Sequence, residues 1–333
     1  MEQIAVDPDF YSMVNGYGMD AQDLQSDTTS IASAIARGRL ENGRRYQAIK
    51  EDDYWGPSDE QQFEAFEIGH MMFLVLDHEQ PNPFFRSPIG DSPKNILDIG
   101  TGQGSWAIDV SDRYPYRPRS GYLPPPVTWM PPNCIFEVDD VLREWTWREP
   151  FDFIHMRLMY GAFPSRRMAA LEPGGWIEQV EIDVRVYSDD GTLKKEHQLY
   201  GWGAMFIRCS ERAGRSLRTN ETMRSAIEEA GFVDVHEKRY KIPIRTEAGH
   251  LQYGHWNAAL EGWAMWLLTH FGEPEPWTKE EVQVYLAKVR KELSNPHIHA
   301  YEPGTRVWAR KPTKEELEVK KEKEAKIKIE TSP

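Results

Sequence analysis

Cysteine is almost missing from this chain: 333 residues contain two, Cys134 and Cys209. Two such thiols cannot build a disulfide framework and are not spaced as a metal knuckle, so no metal is expected and an intracellular location, nucleus or cytoplasm, is. Long apolar runs are also missing. No stretch approaches the roughly 20 apolar residues of a membrane-spanning helix, and the first residues lack the basic-then-apolar order of a signal peptide. No membrane contact is expected. Basic charge is in deficit, with 40 Lys and Arg against 53 Asp and Glu and a formal net charge of -13. Such a surface repels a phosphate backbone and no basic stripe offsets it, which argues against direct nucleic-acid binding. The surplus is in tryptophan, twelve in all, which packing explains.

At this length the chain can bury one large α/β core with additions. Residues 1–25 show no steady period and read as a mobile arm. Ser26-Asp27-Thr28-Thr29-Ser30 offers caps for a short helix through Ile31, Ala34, Ile35 and Leu40, ended by Glu41 to Tyr46. From Ser58 a second helix places Phe63, Phe66, His70, Phe73 and Leu74 on one apolar face. Pro81, Pro83 and Pro88 stop it.

Asn95 to Gly104 is the most informative segment. Ile96, Leu97 and Ile99 suit a buried parallel strand, and Asp98-Ile99-Gly100-Thr101-Gly102-Gln103-Gly104 turns sharply into a helix from about Ser105 to Tyr114. That helix N-terminus presents unpaired N–H groups and partial positive charge to an anionic or carboxylate-bearing ligand. A dinucleotide loop requires Gly-x-Gly-x-x-Gly; here Gly104 comes one residue early and Ser105 takes the required place. A nicotinamide dehydrogenase is therefore disfavoured. Asp98, two places before the first glycine, is suited to holding an amino group.

Downstream the pattern alternates. Strands are expected at Ile135 to Asp140, Phe151 to His155, Trp176 to Ile182, from Phe232, and at Thr305 to Arg310. Leu171-Glu172-Pro173-Gly174-Gly175 reads as a turn before the third of these. Helices are expected near Glu196 to Ala213, Glu221 to Ala230 with Gly231 capping, and Lys279 to Leu293. Beyond Pro312 the alternating Lys and Glu read as a solvated helix or a disordered tail, 313–333.

Four segments together resemble Rossmann-like class I S-adenosylmethionine-dependent methyltransferases: the glycine loop, the strand ending at Asp139-Asp140, Phe151 to His155, and the Leu-Glu-Pro-Gly-Gly-Trp turn. A narrower resemblance is to the fungal LaeA-like methyltransferases, which include regulators of secondary metabolism associated with velvet proteins. It rests on Ser26 to Ile31, Glu41 to Tyr46, Trp106 to Asp109, Phe151 to His155, Gly174 to Glu181, and Ile298-His299-Ala300-Tyr301, spanning about residues 26 to 312.

The resemblance implies a mostly parallel, seven-stranded sheet with helices on both faces, a helical lid over 26–90 that includes Arg45 and Tyr46, and a methyltransferase domain over 91–312. It implies S-adenosylmethionine as cofactor, with Asp98, Gly100, Thr101, Gly102 and Gly104 at its methionyl part. Asp139 or Asp140 would accept from the adenine amino group, with Val141 against the ring. His155 and Met156 would line the sulfonium end, or His155 would be a satisfied core histidine. The acceptor, a small molecule or a protein, is not named by the sequence, nor is a catalytic residue; Glu178, Glu181 and Asp183 are candidate bases.

Two departures stand out. The second strand of such folds ends in an acidic residue that takes the ribose hydroxyls, and Tyr116 to Pro126 contains none. Two missing charge-assisted hydrogen bonds weaken binding by about 3 kcal/mol, roughly a hundredfold. The prolines there also suit a central strand poorly. The crossover helix before the Pro-Gly-Gly turn has only Pro164 to Ala170. These departures keep alive an alternative: a weakly active or non-catalytic scaffold with the same fold, acting through protein partners such as velvet-type proteins.

Overall fold

Asn42 and Gly43 both adopt positive φ, 52° and 88°, and turn the chain from strand β1 (Arg39–Glu41) into β2 (Arg44–Tyr46). The segment expected to end a helix is thus an antiparallel hairpin, because Asn-Gly supplies the two left-handed residues that a tight two-residue hairpin turn demands. The bidentate ion pair Arg44–Asp59, at 2.7 Å for both bonds, ties β2 to the chain that follows. The structure, a computed structural model, describes residues 38–47, 55–114, 118–121, 131–137, 141, 145, 147, 149–160, 171–244 and 247–330. The expected N-terminal arm and the expected helix as far as residue 37 lie outside these residues, as does the Pro164 to Ala170 crossover, whereas Leu40, expected at the end of that helix, lies in β1.

The hairpin belongs to one compact unit, 1–59, and all later elements to a second, 60–333. In the second unit, β3 (Ile96–Ile99), β4 (Pro118–Gly121), β5 (Ile135–Glu137), β6 (Phe151–Arg157), β7 (Leu171–Ile182), β8 (Val233–Pro243) and β9 (Tyr301–Arg310) form one sheet in the order β5-β4-β3-β6-β7-β9-β8. The first five run parallel, and β9 is antiparallel to both neighbours. The described helices are α1 (Glu60–Leu76), α2 (Ser105–Arg113), α3 (Gln198–Arg212), α4 (Thr219–Glu229), α5 (Glu247–Phe271), α6 (Lys279–Leu293) and α7 (Lys314–Glu330).

Period-two alternation sorts the strands onto two cores. Ile96 and Phe153 face α2, packing with Phe85, Trp106, Ala107 and Val110. Leu97, Ile99, Ile154, Met156 and Ile177 face the other way, onto Met223 and Ile227 of α4 and Val307 and Ala309 of β9. Burying both faces explains why the strands read as continuous apolar runs.

Several elements differ from expectation. Leu171 to Gly175 is the irregular opening of β7, where the register slips between Phe151 and Phe153, rather than a turn preceding it. Pro118 occupies the first residue of β4, the place in a strand where a missing N–H is tolerated, so a central strand forms despite the prolines. The buried stripe of α1 is Gln62, Ala65, Gly69, His70, Met72 and Phe73, rotated from the face through Phe63, Phe66 and Leu74. The Lys/Glu tail is helical as α7, its N-terminus held by Thr313 and Glu316 through reciprocal bonds of 2.8 and 3.2 Å.

Helix α5 forms where the sequence pattern predicts no element. It lies between β8 and β9 and packs along α1: Gln61 Nε2 donates to the Ala258 carbonyl at 2.9 Å, and His255 Nδ1 meets the Ala65 carbonyl at 2.7 Å. Gly69 leaves room for that imidazole, since a Cβ there would lie 3.0 Å from the ring.

Candidate active site

The chain leaves β3 for β4 on one side and β6 returns on the other, so a crevice opens where β3 and β6 end. In open α/β sheets, ligands collect at such a switch point. The glycine turn stands there. Gly100, Gly102 and Gly104 have φ of 71°, 60° and 90°, the left-handed region in which a side chain is strained. Space is limited as well: a Cβ on Gly100 would overlap Met159 Sδ, and one on Gly102 would lie 3.3 Å from the Phe66 ring. Gly104 caps α2 without a side-chain hydrogen bond, which leaves the first-turn amides of α2 directed at the crevice. Thr101 Oγ1 is buried without a partner. A glycine cradle, uncapped amides and an orphaned hydroxyl together fit a ligand with a carboxylate and an amino group.

Asp98 and His155 are neighbours across the β3/β6 ladder, and His155 Nδ1 lies 2.8 Å from Asp98 Oδ1. Both are buried. Trp106 stacks on the imidazole at 3.9 Å between centroids with planes 5° apart. Burial lowers the His155 pKa, against the opposing pull of Asp98. These two side chains therefore bind each other inside the α2-side core, directly beneath the turn. Met156 and Val141 both belong to the opposite core, in one cluster with Ile99. Asp139 and Asp140 lie outside the described residues, while Glu137, which closes β5, accepts from Trp147 Nε1 at 2.9 Å.

Beneath α1 a second network secures the crevice wall. His70 Nε2 lies 2.8 Å from Asp109 of α2, and Arg157 at the end of β6 donates to His70 Nδ1 from both terminal nitrogens at 3.2 Å. An imidazole nitrogen that accepts from a guanidinium carries no proton, so His70 is neutral, with its proton on Nε2 toward Asp109. Burial lowers its pKa first and Arg157 lowers it further, with Asp109 opposing. Arg157 also covers the Phe73 ring at 5.0 Å.

The three candidate bases have separate partners. Glu178 accepts from the Arg86 and Ser87 amides at 2.8 and 2.9 Å, from Ser87 Oγ at 2.8 Å, and from Arg306. Asp183 is held by Arg185 Nε and Nη2 at 2.8 and 2.7 Å. Neither is disposed to take a proton from an acceptor. Among the described residues Glu181 instead accepts from Gln179 Nε2 at 2.9 Å and from the amides of Met159 and Tyr160 at 3.1 and 3.4 Å, all of them neutral donors. Burial raises its carboxyl to about 7, with those bonds opposing. Glu302, bonded by Trp256 Nε1 at 2.7 Å and by Gln252, is raised by burial to about 8.

Phe66 and Met159, the side chains that meet the glycines, were not identified from sequence as site residues. Phe66 was visible only as one position of an apolar face. Met159 carried no local signal.

A mostly parallel sheet with this strand order, its β9 antiparallel, and a Gly-x-Gly-x-Gly turn opening a helix at its switch point, is the architecture of a Rossmann-like class I methyltransferase. A family model described as a methyltransferase domain matches residues 80–237. The chain is 32% identical over 313 residues to methyltransferase pytC of Aspergillus terreus, covering 88% of this chain and 95% of that protein. It is 31% identical to the secondary metabolism regulator LAE1 of Cochliobolus heterostrophus, covering 82% and 94%, and 32% identical to the secondary metabolism regulator laeA of Monascus pilosus, covering 86% and 83%. The chain belongs to the fungal LaeA-like family of S-adenosylmethionine-dependent methyltransferases. Among the described residues, no helix is long and apolar enough to cross a membrane.

Proposed function

We propose that this chain transfers a methyl group from S-adenosylmethionine to a nucleophilic atom of a small-molecule or protein acceptor in fungal secondary metabolism. The observation that carries the reading is the turn Gly100 to Gly104 with its three left-handed glycines under an uncapped helix N-terminus. The cofactor supplies a methyl group on a cationic sulfonium, which is already a good electrophile. Thr101 Oγ1 and the first-turn amides of α2 would hold its methionyl end. Met159 and Phe66 exclude water from the turn and help to align the acceptor, which is most of what such a substitution requires. A general base is needed only where the acceptor must lose a proton. The names of the relatives, one set methyltransferases and the other regulators of secondary metabolism, support the metabolic setting.

Calorimetric titration with S-adenosylmethionine and S-adenosylhomocysteine tests this. Micromolar binding that Gly102→Arg abolishes is the expected result, because the new side chain would require a left-handed backbone and would meet the Phe66 ring. No heat at millimolar ligand would sink it. That outcome favours a second reading, a scaffold working through protein partners of the velvet type, whose support is the lack of any Asp or Glu from Tyr116 to Pro126. Co-purification with such partners would then be the measurement to make.

A further inference from the structure

Two of the three residues that follow β6 have an unusual backbone. Leu158 and Tyr160 have φ of 55° and 40°, left-handed conformations that cost a non-glycine residue energy and persist only where surrounding bonds enforce them. Between them, Met159 presents its sulfur to Gly100 closely enough that no Cβ fits there. Among the described residues, the hydrogen bonds that hold the amides of this segment come from β7. The Leu158 amide donates to the Val180 carbonyl at 2.9 Å. The next two amides, of Met159 and Tyr160, donate to one side chain, the fully buried carboxylate of Glu181, at 3.1 and 3.4 Å. Gln179 Nε2, at 2.9 Å from the same Oε1 that takes the Met159 amide, fixes the carboxylate from the other side.

We propose that Glu181 is a positioning residue: its carboxylate holds the left-handed segment Leu158 to Tyr160 so that Met159 closes the crevice over Gly100. The proposal rests on the reading of the glycine turn as the cofactor site. Glu181 touches neither the glycines nor an acceptor in this arrangement. It acts through two backbone amides, which in the folded chain have no other acceptor positioned for them by β7. A carboxylate is suited to the task because it offers two oxygens to two successive amides while accepting from Gln179 as well. A merely structural carboxylate would affect stability alone. A positioning carboxylate controls the shape of the crevice at a temperature where the protein stays folded.

The test is calorimetry of the full chain with S-adenosylhomocysteine, read together with thermal unfolding. Glu181→Ala is expected to weaken binding by about tenfold or more, equivalent to about 1.4 kcal/mol. Glu181→Gln should lose less, because its amide oxygen can keep the Met159 and Gln179 bonds while Tyr160 loses its acceptor. Adding Tyr160→Gly to Glu181→Ala should restore part of the affinity, since glycine adopts positive φ unaided. Unchanged affinity in Glu181→Ala, with only a lower melting temperature, would overturn the proposal. So would the absence of rescue by Tyr160→Gly. If Glu181→Ala does not fold, Glu181→Gln decides: a measurable loss of affinity supports positioning and wild-type affinity overturns it. A wild-type chain that binds no ligand refutes the cofactor reading itself and the inference with it. A wild-type chain that binds while the variants match it refutes the inference alone.

Discussion

Removing the guanidinium of Arg306 probes the most heavily charged part of the core. Arg306 on β9 donates to Glu178 on β7 and, at 2.7 Å, to Asp77 just beyond α1. All three side chains are almost fully buried. Breaking a buried pair by deleting one partner costs about 3–5 kcal/mol, because a charge is left without compensation. Here the lower end applies, since each carboxylate retains other donors. Asp77 keeps Arg86 and the Tyr240 hydroxyl at 3.1 Å, and Glu178 keeps two amides and the Ser87 hydroxyl. Arg306→Met should therefore lose about 3 kcal/mol, or about 6 °C in melting temperature at roughly 2 °C per kcal/mol for a domain of this size.

Urea unfolding of Arg306→Met, beside a double variant that adds Glu178→Gln, is the appropriate assay, because Asp77 must stay charged to pair with Arg86. If stranded charge is the cause, neutralising Glu178 should recover part of the loss, a non-additive result. A loss below about 1 kcal/mol for the single variant, against the range expected for a broken buried pair, refutes the reasoning. So does a double variant less stable than the single one.

Two glycines in α3 should respond oppositely to alanine. A Cβ on Gly203 would overlap the backbone of Arg185, whereas Gly201 has nothing within 4 Å. Gly201→Ala should gain up to about 1 kcal/mol from helix propensity, while Gly203→Ala should lose about 1–3 kcal/mol to overpacking; urea midpoints with equal slopes would report both, and equal signs would contradict the packing. Glu302 makes stability depend on pH. Its folded pKa of about 8 exceeds the unfolded value near 4.5, so between these values the native state holds a proton that the unfolded chain has released. Its contribution is thus complete below the lower value and is lost as pH rises toward about 8, at up to roughly 1.4 kcal/mol per pH unit. Glu302→Gln should flatten the stability profile between pH 5 and 8, and an unchanged slope would exclude this carboxyl as its source.

Legibility from sequence followed how local the determining physics was. The strand Ile96 to Ile99 and its glycine turn were readable because an apolar run, three closely spaced glycines and a helix start follow one another within ten adjacent residues. Helix α6 was bounded correctly for the same reason: Thr278 and Glu281 form a reciprocal cap at one end. Helix α5 failed the same test. Trp256, Ala259, Leu260, Ala264, Trp266, Leu267 and Leu268 are all buried, so apolar residues occupy most of its circumference and no one-sided stripe stands out. The Asn42-Gly43 signal is as local as these, but it reads equally as the stop of a helix through Leu40, and only the pairing of Arg39–Glu41 with Arg44–Tyr46 makes it a hairpin.

The acidic residues at the strand ends mark where local reading ends. Asp98, Glu178, Glu181 and Asp183 look alike in sequence: each is a carboxylate in or just after a buried apolar strand. Only tertiary partners separate them. Asp98 meets an imidazole beneath the turn, Glu178 meets Arg306, and Asp183 meets an arginine two residues away. Glu181 instead receives two backbone amides of a strained segment that touches the glycine turn. Glu178 also receives two successive amides, those of Arg86 and Ser87, but the segment that Glu181 holds is the one that sets Met159 against Gly100. The same residue type therefore supports stability at three of these positions and crevice shape at the fourth, and substitutions at Glu178 and Glu181 should separate a loss of melting temperature from a loss of affinity.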